Sequence, residues 1–250
     1  MLILALLVGL ALGQAIDLVY PRLFTGTPLG GPLSRCDACG ARLEPVQAVP
    51  VVGYVWSRGR CPVCSQRLPA RALLIAPWGA ALFAVSYAVF EGHFGATLLA
   101  GLFATIFFTL TVTDLERRLL PNRIIYPSLL LAIALSWAWP DSSVVEVVAG
   151  GALATAIAGV LFLLSLPFGR GAFGMGDVKM IVLTGFVLGL PAVIPALFIS
   201  TFAGGGAALF LLLTRLKGRG DYIPHGPFLA LGGIIALFWG HDIWDWYVQR

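Results

Sequence analysis

Two aspartates and four cysteines carry the chemistry this sequence could perform. Asp114 follows the apolar run "FFTLTVT" and opens "DLERRLLPN", while Asp177 sits in "GAFGMGDVKM", between a glycine-rich turn and another apolar run. Ionisable groups at the margin of an apolar segment are costly to bury and tend to mark function. Two carboxyl groups brought together can share a proton, one acting as base on a water and the other as acid toward a carbonyl oxygen. Gly174 and Gly176 let the chain turn sharply and approach a substrate with no Cβ in the way. The plainer role is that each acid solvates a helix end, and for Asp177 the dipole of a first helical turn supports it. Helix ends also separate the two. An anion is disfavoured at the C-terminal end, where Asp114 is expected, and favoured at the N-terminal end, so Asp177 is expected to start as base and Asp114 as acid.

The cysteines form "CDAC" and "CPVC", with 21 residues between Cys39 and Cys61. Two C-x2-C pairs near this separation read as a zinc site. Cys36, Cys39, Cys61 and Cys64 would supply four thiolates, leave no position for water, and make the metal structural. Two disulfides are the alternative, disfavoured if the segment faces a reducing cytoplasm.

The elements that position these groups follow from composition. Of 250 residues, 59% are hydrophobic and 11% charged, and the mean hydropathy is +0.92; soluble domains are roughly a quarter charged. The chain is expected to be an all-α polytopic membrane protein. Apolar runs cover Met1 to Ile16, Leu73 to Phe90, Ala96 to Val112, Ile124 to Trp139, Val144 to Leu166 and Phe228 to Trp239. The stretch Val178 to Leu213 is too long for one span, so two short spans meeting near "GLPAVIP" are expected, for about eight transmembrane helices.

Fifteen of the sixteen Lys and Arg residues fall in four alternate loops: Arg22 to Arg71, Arg117 to Arg123, Arg170 to Lys179, and Arg215 to Arg219. The connections "EGHFG" and "PDSSVVE" hold acids but neither Lys nor Arg. Such a bias places the basic loops, and with them both aspartates and the cysteines, on the cytoplasmic side. The net charge of +4 resides mainly in these loops, with no basic and aromatic module for nucleic acid. No basic residue precedes Arg22, so the first helix is expected to be retained rather than cleaved as a signal. The resulting division is 1–21, a first transmembrane helix; 22–72, a small cytoplasmic zinc-binding domain; and 73–250, a helical membrane domain with both aspartates. Trp239, Trp244, Trp246 and Tyr247 would form an outer aromatic belt. Lys179 could orient Asp177 or hold a phosphate headgroup, the simpler role being a snorkelling interfacial lysine. Pro121 and Asn122 read as a helix stop and restart, and His225 as a loop histidine with no partner at metal spacing.

Five segments in order resemble the bacterial type IV prepilin peptidases, within the wider group of G-x-G-D membrane aspartyl proteases: "LGQAIDLVYPRL", the paired "SRCDACG" and "RGRCPVCSQRLPAR", "DLERRLLPN", "GMGDVK" and "IPHGPFLALG". The resemblance spans nearly the whole chain. It implies an enzyme of the inner membrane that cuts the leader from prepilins and pseudopilins at the cytoplasmic face, with Asp114 and Asp177 as catalytic pair. It also implies methylation of the new N-terminus by S-adenosylmethionine. There the chain departs from the family: a Tyr-Pro segment ending in Glu is replaced by "ARALLIAPWGA", and Asp17 stands where Asn is common. Other classes predict differently. An ion-coupled transporter calls for acids at mid-span and inverted repeats, a non-catalytic zinc-loop scaffold for pilus or secretion assembly would not need the aspartates, and a presenilin-like protease would cut inside the bilayer.

Overall fold

The structure is a computed structural model that describes residues 1–25, 36, 39–41, 52–67, 70–140, 142–168, 174–218 and 224–250. Arg35, Arg42, Asp141, Arg170 and Arg219, which entered the loop-charge argument, and much of segment 22–72 lie outside the described residues. The chain divides into two compact units, Met1–Thr105 and Ile106–Arg250.

Among the described residues the chain forms eight helices of 13 residues or more: α1 Leu2–Thr25, α2 Ile75–Val89, α3 Phe94–Arg117, α4 Asn122–Ala134, α5 Val144–Ser165, α6 Met175–Leu188, α7 Val193–Leu213 and α8 Gly226–Val248. The protein is all-helical and multi-pass. Five helices are long and apolar enough to cross a bilayer, namely α1, α3, α5, α7 and α8. The other three are shorter: α2, α4 and α6 have 15, 13 and 14 residues. At about 1.5 Å per residue, fourteen residues reach about 21 Å, less than the roughly 30 Å of a hydrocarbon core.

In the first unit, α1 and α2 approach closely through small residues. A Cβ on Gly9 would lie 2.5 Å from the Gly79 carbonyl oxygen, and one on Gly13 would lie 2.6 Å from the Ala76 Cα. In lipid, where lateral association has little hydrophobic driving force, such close backbone packing supplies the contact. In the second unit α6 is the hub, packed against α4, α5, α7 and α8. This enclosure accounts for its buried run Met180, Ile181, Leu183, Thr184, Val187 and Leu188.

Helix ends follow local sequence. The box of Ser143 and Glu146 caps α5 reciprocally, the Ser143 N–H donating to Glu146 Oε2 at 2.6 Å, which satisfies N-terminal donors. The expected break near "GLPAVIP" lies between Leu188 and Val193, beginning at Gly189, whose φ of 66° is a conformation that glycine adopts at little cost. Trp239, Trp246 and Tyr247 are exposed along the end of α8.

Candidate functional site

Asp114 lies in the last turn of α3 and is only 4% exposed. Its backbone carbonyl accepts the Arg118 N–H at 2.9 Å, and Arg118 turns the chain with a φ of 54°. The chain restarts at Pro121, the extended N-cap of α4, as expected. The Asp114 side chain meets a different element: the Gly226 N–H donates to Oδ2 at 3.1 Å. Gly226 is the first residue of α8 and Pro227 follows it. Proline has no N–H, so Gly226 supplies the leading donor of a helix N-terminus, a place that favours an anion. The glycine is required there, because a Cβ would stand 2.5 Å from Oδ2.

Asp177 occupies the third position of α6 behind the N-cap Gly174, and is half-buried. The Gly174 N–H turns back to its carboxylate, the acid's half of a capping box. Asp114 and Asp177 are close enough for their charges to act on each other. The asymmetry expected from helix ends therefore disappears. Asp114 does close the end of α3, but its oxygen takes up the N-terminus of α8, so each carboxylate has a helix N-terminal donor.

Two contacts staple the start of α6 to the segment that follows Asp114. A Cβ on Gly176 would meet Leu120 Cδ1 at 3.2 Å, so the second glycine lies against Leu120. The Lys179 Nζ donates to Asn122 Oδ1 at 2.8 Å and lies 5.9 Å from the Tyr126 ring centroid. Residues two apart in a helix do not share a face. Lys179 accordingly holds α4 rather than Asp177. "DLERRLLPN" and "GMGDVK" are thus halves of one tertiary arrangement.

Sequence reasoning missed Gly226 and gave His225 no role. His225 is the N-cap of α8, and its ring fills the space over Gly204 of α7, where a Cβ would be 2.6 Å from Cε1. Burial pushes its pKa below the ordinary imidazole value. The available signal was "HGP" heading an apolar run on the same basic-loop side as both aspartates.

In the first unit the four cysteines come together, their Sγ atoms all within 4.8 Å of one another, and none is in a disulfide. Cys36 and Cys64 are 3.7 Å apart, and Cys39 and Cys61 are 3.9 Å apart. A tetrahedron with metal–sulfur bonds of about 2.3 Å has edges of about 3.8 Å, so the four thiols fit a tetrahedral ion. The two turns are built alike. The Gly40 N–H bonds to the Cys36 carbonyl and the Ser65 N–H to the Cys61 carbonyl, while Cys36 and Cys61 donate to the carbonyls of Ala41 and Gln66. The N–H groups of Cys64 and Val63 lower the Cys61 pKa to about 7, whereas at Cys64 the Gln66 N–H is outweighed by burial and the neighbouring thiols, which raise the pKa to about 12. The Cys61 thiolate therefore forms readily, and a metal must draw the proton from Cys64. In the same unit, Arg71 is 6% exposed, its Nε 3.3 Å from Asp17 Oδ1 and its guanidinium carbon 4.3 Å from the Tyr20 ring centroid. Asp17 therefore has a cationic partner where the resembled family commonly has Asn.

These features define a helical membrane protein with two neighbouring carboxyl groups at helix ends and a four-thiol cluster that could hold a metal ion. The chain belongs to the type IV leader peptidase family: it matches that family over residues 101–209 and the bacterial peptidase A24 N-terminal domain over residues 7–90. Relatives named prepilin leader peptidase/N-methyltransferase include one from Aeromonas hydrophila, 32% identical over 88% of this chain and 76% of its own. One from Pseudomonas putida is 32% identical over 85% and 74%. One from Bacillus subtilis is 28% identical over 100% and 98%. No solved structure matches the chain.

Proposed function

We propose that this protein removes the leader peptide from prepilins or pseudopilins at the cytoplasmic face of the inner membrane, with Asp114 and Asp177 as an aspartic-type catalytic pair. The observation that carries this reading is the meeting of the two family motifs in one unit, where Asp114 accepts the Gly226 N–H and its charge acts on Asp177. The four basic loops support the cytoplasmic side. Both acids lie at helix ends rather than mid-span, which disfavours the transporter reading.

In this mechanism one carboxylate takes a proton from a water whose oxygen attacks the scissile carbonyl carbon. The other, protonated, donates to the carbonyl oxygen. Collapse of the resulting diol breaks the C–N bond, and the amine leaves with a proton from the pair. The carboxyls titrate as a unit. Gly226 holds the Asp114 oxygen, and the Lys179–Asn122 and Gly176–Leu120 contacts set where Asp177 stands relative to it.

Residues 22–72 are read as a domain ordered by structural zinc on Cys36, Cys39, Cys61 and Cys64, and residues 73–250 as the protease domain. S-adenosylmethionine is the methyl donor that the relatives' name implies. No step is routed through it.

The test is the mass of a membrane-inserted prepilin after incubation with the purified protein. The expected product lacks its leader, and any methyl group appears in the same spectrum; an unchanged prepilin would refute the reading. A second measurement probes Asp114 placement. Gly226→Ala should lower kcat by about 10²-fold through displacement of one carboxylate, with KM and helix content held.

A further inference from the structure

The four-cysteine region carries a surface that the peptidase reading does not use. Residues 52–67 contain no acid. Arg60 and Arg67 face each other across an antiparallel bridge. Side chains directly opposite in such a pair have Cβ atoms about 5 Å apart, and like charges there repel. Arg58, two residues away, is also exposed. Among the described residues, none of these three arginines has an acidic partner. Two arginines set opposite each other on the backbone without a carboxylate suit an anion with several oxygens, above all a phosphate, which arginine binds through paired N–H donors.

The same segment exposes large apolar side chains. Val55 and Trp56, in the short helical turn Val52–Trp56, are 67% and 75% exposed, and Val63, between the second pair of cysteines, is 68% exposed. Tryptophan beside arginine is the composition of a membrane interface, where the ring sits at headgroup level and the cation meets phosphate. A bilayer is within reach, because Arg67 precedes the apolar helix α2 by eight residues, a span of at most about 29 Å. A free anion would explain the arginines but not the exposed valines and tryptophan.

We propose that residues 52–67 form a lipid-docking surface, in which Arg60 and Arg67 hold the phosphate of an anionic phospholipid while Val55, Trp56 and Val63 enter the interfacial layer. The docked segment would lie flat against the leaflet into which α2 inserts. Docking needs the four-cysteine fold but not the peptidase activity, so the two fail separately.

The experiment uses the full zinc-loaded chain in nanodiscs of lipids brominated near the glycerol end of their acyl chains, with Trp56 emission isolated by subtracting the Trp56→Phe variant. Discs containing phosphatidylglycerol should quench that emission, and pure phosphatidylcholine discs or high salt should relieve the quenching. Arg60→Gln and Arg67→Gln should each lower the docked-to-undocked ratio about fivefold, with zinc content unchanged. Hydrogen exchange across residues 52–67 of the unsubstituted protein, slowed only in the anionic discs, provides a second measurement that needs no variant. Unquenched emission in phosphatidylglycerol discs would overturn the proposal. So would an equal effect of inorganic phosphate in phosphatidylcholine discs, or protection that arises only when a prepilin is added, which would assign the surface to a protein partner.

Discussion

Asp114→Asn and Asp177→Asn are each expected to lower prepilin cleavage by about 10²- to 10⁴-fold, the usual range for loss of an acid or base in the transition state. Asparagine keeps the shape of aspartate and an oxygen that can accept the Gly226 N–H at position 114, so the helices should hold while the titrating proton is lost. The same argument applies at position 177, where the Gly174 N–H still finds an oxygen. Because the two acids act as a unit, the double variant should be hardly worse than either single one. A membrane-inserted prepilin, followed by gel shift and mass, provides the measurement, with circular dichroism reporting on the fold. Near-parental turnover by either variant would remove the carboxylate pair from the mechanism.

The second large effect concerns the cysteines. Cys61→Ser, or a strong chelator, is expected to release the metal and open residues 36–67 to protease while the helical signal of the membrane part persists. The segment has little else to order it. Of the residues between 36 and 67 whose burial is described, all but Cys36, Gly53, Gly59 and Cys61 are exposed or half-buried. In isolated zinc peptides, metal binding contributes about 10–16 kcal/mol to folding, far beyond what a core this small could replace. Metal analysis alongside limited proteolysis tests this. Retained protection after complete loss of metal would show that the loop folds without it.

Gly9 against Gly79 and the Lys179 bond to Asn122 differ in how far they could be read in advance. That α1 and α2 are apolar helices is a local property, visible in hydropathy. Which residues of α2 the α1 glycines meet is not: both of them, Gly9 and Gly13, lie against α2 backbone, at Gly79 and Ala76. The turns of the two C-x2-C pairs were legible because their hydrogen bonds close within five residues. Asp177 as a first-turn acid was legible for the same reason, and so was the break between α6 and α7. The count of about eight spans was less so: α2, α4 and α6 are shorter than the hydropathy runs led one to expect, and five helices meet the length of a full crossing.

The sequence by itself therefore determined the membrane class, the helical composition, the four-thiol cluster and the two aspartates as the acids to consider, because periodicity, charge bias and short spacings act over a few residues. Only the tertiary structure decided that Asp114 takes the N-terminal donor of α8, that His225 sits over Gly204, and that Lys179 reaches Asn122 rather than Asp177. Each of those contacts joins segments from 21 to 112 residues apart. Local spacing carries no information about which helix end will face a given side chain. The helix-end argument for unequal acids failed for that reason: it counted the dipole of α3, on which Asp114 sits, but not that of α8, which Asp114 meets.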